Sequence, residues 1–137
     1  KNYIFSSVKK SFETLKKNQE DYYLSIFLTN NYDIKKLNSK YRKINKPTNV
    51  LSFVQDKKFF LGGSKQVILL GDIVISLEKI KSEAKELEKK FSDHFIHICI
   101  HGLLHLFGYN HKKESEAKIM QEKEISILKQ LSIPSPY

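Results

Sequence analysis

The apolar positions of the chain recur with two different periods. Phe5, Val8, Phe12 and Leu15 fall at helical spacing with Lys9, Lys10, Lys16 and Lys17 on the other side, which predicts an amphipathic first helix. The run Tyr22 to Thr29, "YYLSIFLT", is rich in β-formers and reads as a buried strand. After the turn signal "NNYD", Ile34, Leu37 and Tyr41 mark a short second helix that must stop before Pro47. "TNVLSFV" predicts another strand, and Lys57 to Lys65 reads as an exposed loop or hairpin tip in which Gly62 and Gly63 are free to take positive φ. "QVILLGDIVIS" is a further strand region, with a bulge or break expected at Gly71-Asp72. Ser76 is placed to cap a helix whose inner face is Leu77, Ile80, Ala84 and Leu87. Ser92 and Asp93 start a strongly apolar helix that ends near Gly108, and a last helix has Ala117, Met120, Ile127, Leu128 and Leu131 among its apolar positions. No repeat or linker divides the pattern. It predicts one α+β domain over residues 1–137, with about three to four strands packed against about five helices.

Composition changes this picture little. A chain of 137 residues with 40% apolar content can bury a core without disulfides or a structural metal. The single Cys99, set among Phe95, Ile96, Ile98 and Ile100, excludes an intrachain disulfide, points to a reducing compartment and reads as a small core residue. No run is long enough to span a bilayer, and no cleavable signal pattern appears. Cytoplasmic residence is the expectation, or an organelle if a transit peptide preceded Lys1.

Charge adds more. The formal net charge of +9 comes almost wholly from lysine, which suits a polyanionic partner such as nucleic acid, although a lysine-biased genome accounts for it equally well. Arg42 is the only arginine, and a position that stays arginine in such a chain points to a need for the planar guanidinium fork.

The chemistry gathers in "HGLLHLFGYNH", His101 to His111. Residues four apart on a helix share a face about 6 Å apart along the axis, so His101 and His105 can converge on one ion. His97 lies about 12 Å of helix rise from His105 and cannot join them. A third ligand needs a chain that turns back, which Gly108 permits, so His111 is the better third ligand; His97 and His94 are expected to pack or to face solvent. Three histidines leave coordination positions open, as in a catalytic rather than a closed structural site. The spacing equals that of the zinc-protease pattern H-E-x-x-H-x-x-G-x-x-H, but Gly102 stands where that pattern carries its glutamate base. Peptide hydrolysis is therefore disfavoured, whereas a metal that activates water or polarises a phosphoryl oxygen fits a basic protein acting on an RNA phosphodiester.

The same eleven residues resemble the H-G-x-L-H-L-x-G-Y-D-H signature of the YbeY family, bacterial and organellar endoribonucleases of ribosomal RNA maturation. "LNSKYRKINKPTNVLSF", Leu37 to Phe53, is similar to the family's L-N-x-x-Y-R and T-D-V-L-S-F stretches, and "LLGDIVIS", Leu69 to Ser76, to its L-G-D-I-x-I-S. The resemblance implies an α+β fold and one divalent metal, usually zinc, on His101, His105 and His111. It places the family's essential arginine on Arg42, able to hold a phosphate bidentately, with a surface helix arginine as the plainer alternative. It implies single-stranded RNA as substrate, with small-subunit ribosomal RNA and the small ribosomal subunit as partners. The chain departs from the pattern at Asn49 and Asn110, where the family has aspartate. An acid at either place would act as a base or orient a ligand imidazole, and an amide keeps the shape without the charge. Asp72 is retained, as a turn residue or as a group behind the site. The two amides leave open a second function: an RNA-binding factor of the ribosome whose metal is structural and whose cleavage is weak or lost.

Overall fold

The computed structural model describes residues 2–60 and 62–137. Among these residues the strands are β1 (Tyr22–Thr29), β2 (Val50–Phe60) and β3 (Gln66–Ser76), forming one mixed sheet in the order β1-β3-β2. β3 runs parallel to β1 and antiparallel to β2. It is the central strand, and Val67, Leu70, Ile73, Val74 and Ile75 are all buried. A strand covered on both faces needs an apolar run rather than alternation, which explains "QVILLGDIVIS".

The expected break at Gly71-Asp72 is a bulge in an unbroken strand. Pairing steps from Tyr23↔Leu69 to Leu24↔Gly71 on one side and from Val54↔Gly71 to Lys57↔Leu69 on the other, so both neighbours change register around Leu70. Gly71 there has φ +151°, and a Cβ on it would lie 2.2 Å from the Phe53 carbonyl oxygen. Two expectations are corrected nearby. β2 continues to Phe60, so the exposed tip is shorter than Lys57 to Lys65. β1 is an edge strand with no buried residue: Tyr22, Leu24 and Ile26 pack on the core, while Tyr23, Phe27 and Leu28 face outward.

Five α-helices are described: α1 (Tyr3–Thr14), α2 (Asn31–Arg42), α3 (Leu77–Glu86), α4 (Phe91–Leu106) and α5 (Glu114–Gln130). α2 covers one side of the sheet, where Ile34 and Leu37 meet Leu51, Phe53 and Val74. On the other side α4 sets Phe95, Ile98, Cys99, Leu103 and Leu106 against Ile73 and Ile75, joined by Phe12 of α1 and Ile80 of α3. Behind α4, its residues Ile96, Ile100 and Leu104 pack on Met120, Ile127 and Leu128 of α5. Buried between sheet and helix, α4 is apolar over most of its circumference, and His94, His97, His101 and His105 fill the remaining stripe.

The faces of two helices differ from the periodicity. Phe5 of α1 is exposed, whereas Ser7 and Ser11 are buried, each hydroxyl donating to the carbonyl four residues back at 2.7 Å. Small, self-satisfied side chains let α1 approach α4 closely at no hydrogen-bonding cost. Leu87, assigned to the inner face of α3, is the exposed C-cap residue. Ser76 caps α3 as expected, its hydroxyl accepting from Lys79 N at 3.2 Å.

Candidate metal centre

α4 ends at Leu106, and Gly108 at φ +96° turns the chain while Gly108 N and Tyr109 N bond back to the carbonyls of His105 and Leu104, each at 3.0 Å. The turn returns His111 to the helix end. Ring centroids lie 4.6 Å apart for His101 and His105, 5.1 Å for His105 and His111, and 5.5 Å for His101 and His111. One nitrogen from each ring falls within 4.8 Å of the others, and among the described residues the cluster has three members.

The hydrogen bonds behind the rings test whether an ion fits. His101 Nδ1 lies 2.6 Å from Glu124 Oε2, and His105 Nδ1 lies 2.9 Å from the Tyr109 carbonyl oxygen. Both partners can only accept, so both Nδ1 atoms carry a proton, and in the neutral, metal-binding form of each ring Nε2 presents its lone pair. Those two Nε2 atoms face each other at 3.1 Å. Facing lone pairs repel unless a Lewis acid lies between them, and two imidazoles on a tetrahedral zinc would be about 3.3 Å apart at the usual bond length. The donor set therefore fits a cation such as zinc. Burial, followed by the charges of His101 and His111, pushes His105 down to about 4, which keeps it in the neutral, coordinating form.

Glu124 is the residue that sequence reasoning missed. It is fully buried, and besides His101 it accepts from His97 Nε2 at 2.8 Å and from the Tyr137 hydroxyl. Burial by itself would raise its carboxyl, but the hydrogen bonds from His101, His97 and Tyr137 outweigh it and hold the group at about 2, while burial and Glu124 raise the Tyr137 phenol. The signal was present: in the stripe Met120, Glu124, Ile127, Leu128 a charge occupies an otherwise apolar face. His97 is thus held behind the triad, and His94 pairs with Glu83 at 2.9 Å.

The remaining candidates are dispersed. Arg42 ends α2 and is exposed; the adjacent Tyr41 ring meets Phe53 at 5.2 Å, and Ser52 donates to the Gly102 carbonyl at 2.9 Å, which ties β2 to the histidine helix. Asn49 donates to Glu83 at 3.0 Å, where an aspartate would oppose a carboxylate. Asn110 accepts from Lys112 N at 3.4 Å within the turn, and Asp72 accepts from Gln55 at 3.3 Å. Among the described residues none of these three side chains bonds to a triad imidazole.

A family model for Endoribonuclease YbeY matches residues 2–132. The chain belongs to the YbeY family. That match includes every helix and strand described above, the triad and Glu124. The chain is 43% identical over 114 residues to Endoribonuclease YbeY of Francisella tularensis subsp. tularensis, covering 83% of this chain and 70% of that one. It is 46% identical over 117 residues to Endoribonuclease YbeY of Alteromonas mediterranea, covering 85% and 72%. Among solved structures it is similar to the solution structure of TM1509 from Thermotoga maritima, with a TM-score of 0.62 at 26% identity over 99% of this chain and 89% of that one.

Proposed function

We propose that this YbeY-family chain is a metal-dependent endoribonuclease that cuts single-stranded RNA in ribosomal RNA maturation, at the 3′ end of the small-subunit RNA, as one domain acting in the cytoplasm. The carrying observation is the pair of Nε2 lone pairs of His101 and His105 facing each other at 3.1 Å, with His111 beside them. Three imidazole ligands suit zinc, and three protein ligands leave room for a reactant. When bound, such an ion supplies Lewis acidity to water or to a phosphoryl oxygen.

The chain's own residues do the rest. Glu124 and the Tyr109 carbonyl hold the protons on the outer nitrogens and so aim the inner ones. Arg42 binds the scissile phosphate through its guanidinium, and exposed lysines draw the RNA in. Gly102 provides no proton acceptor, in keeping with phosphodiester rather than peptide chemistry. The binding-factor alternative is disfavoured: the relatives are named endoribonucleases, the cluster has three members among the described residues, fewer than a closed structural site needs, and Asn49 has a local partner in Glu83 that explains its amide.

Zinc content of the purified protein and cleavage of an unstructured RNA by wild type, His105→Ala and Arg42→Ala test the proposal. Stoichiometric zinc and cleavage reduced by at least about a hundredfold in both variants is the expected result. Undiminished cleavage by His105→Ala and Arg42→Ala would overturn it. A 2′,3′-cyclic phosphate on the product would assign the attack to the RNA's own 2′-hydroxyl rather than to water.

A further inference from the structure

Glu124 is a charged side chain with no exposed surface in the middle of α5, between Met120 and Ile127. An isolated buried carboxylate costs several kcal/mol, and a leucine would fill the same stripe without that penalty. Its oxygens are not arranged merely to be satisfied. One takes the outer nitrogen of His101 at 2.6 Å, and the other takes His97 at 2.8 Å and the hydroxyl of Tyr137. Two donors thus brace the carboxylate from the side away from the triad, and the third contact points at a triad ring.

We infer that Glu124 is a positioning residue of the metal centre: it fixes His101 as the Nδ1–H tautomer and lends it anionic character, so that Nε2 is presented as the strongest donor of the three. This rests on the metal reading above. The triad is then graded, because His105 has only a neutral carbonyl behind it at 2.9 Å and His111 is exposed. A carboxylate behind an imidazole ligand raises its basicity more than a carbonyl does. His97 and Tyr137, neither of them in the triad, hold the carboxylate in register.

The test compares wild type with Glu124→Gln and His97→Gln in two measurements. Zinc affinity is read by chelator competition, and the tautomer of His101 by nitrogen chemical shifts in metal-free protein. Expected are an Nδ1–H His101 in wild type, a mixture of tautomers in Glu124→Gln, and zinc binding weakened about ten- to a hundredfold in Glu124→Gln and by less in His97→Gln, which loses one brace but keeps the carboxylate. Wild-type zinc affinity in a folded Glu124→Gln would overturn the inference and leave a core polar group. If Glu124→Gln does not fold, the wild-type spectrum decides: an Nε2–H His101 would overturn it, an Nδ1–H His101 supports it. If the wild type takes up no zinc, the metal reading fails by itself, and the His101 tautomer still judges Glu124.

Discussion

A Cβ added to Gly102 would meet Ile73 Cγ2 at 3.0 Å, Val50 Cγ2 at 3.2 Å and Ser52 Oγ at 3.3 Å, so the backbone of α4 lies directly on the sheet here. The residue that replaces the zinc-protease glutamate therefore points at the core and not at the open side of the triad. Gly102→Ala is expected to cost about 1–3 kcal/mol through overpacking, read by urea denaturation. Gly102→Glu would have to push Ile73, Val50 and Ser52 aside and is expected to destabilise the fold further rather than to make a peptidase; a stable Gly102→Glu enzyme that hydrolyses peptides would contradict this packing. Gly71→Ala is more severe, because the obstacle at 2.2 Å is backbone, and a loss above about 3 kcal/mol is expected in the same assay. The triad was legible from the sequence because helix period and one turn determine its geometry. Glu124 was not read, because its partner His101 is 23 residues away and only the packing of α5 on α4 brings them together.

At the level of elements, the turn after α4 decides whether the centre exists, since it alone returns His111. Nothing lies within 4 Å of a Cβ placed on Gly108, so the cost of Gly108→Ala is purely conformational, that of φ +96° for an L-residue. Thermal melting is expected to show a loss of about 1–2 kcal/mol, with zinc binding by chelator competition falling further than that because the strained turn moves a ligand. Unchanged zinc affinity would mean that His111 contributes little. Most elements could be read from periodicity and caps, down to Ser76 at the start of α3. What could not be read was which strand lies at the edge: "YYLSIFLT" has the composition of a central strand, and only the order β1-β3-β2 leaves Tyr23 and Phe27 facing solvent. Strand order is a matter of long-range pairing, which local pattern does not contain.

For the whole molecule, the hydrophobic clusters lie on the sheet and between α4 and α5 and contain none of the triad, so metal removal is expected to lower the melting temperature yet leave a cooperative fold, seen by circular dichroism with and without a chelator. Metal-free protein then allows RNA binding to be measured without cleavage. Of the lysines described, Lys10 alone has an ion-pair partner, Glu13, so most of the +9 charge is left without an internal counterion. These lysines sit on α1, α2, β2, α3 and α5 and in the segments between elements, Lys112 and Lys113 directly after His111 among them, and α4 has none, so phosphate contacts would be many and individually weak. Each neutralised phosphate of a single strand contributes a slope of about −0.7 to log affinity against log salt, so an RNA making about four such contacts loses about fiftyfold between 50 and 200 mM salt. Fluorescence anisotropy with an unstructured RNA is expected to show that steep decline. Arg42→Ala, which removes one charge, should reduce the slope by about 0.7 and no more if, as proposed above, its specific contribution is to the scissile phosphate during cleavage. A salt-independent affinity would mean that the lysines are a compositional bias and that recognition rests on contacts near the triad.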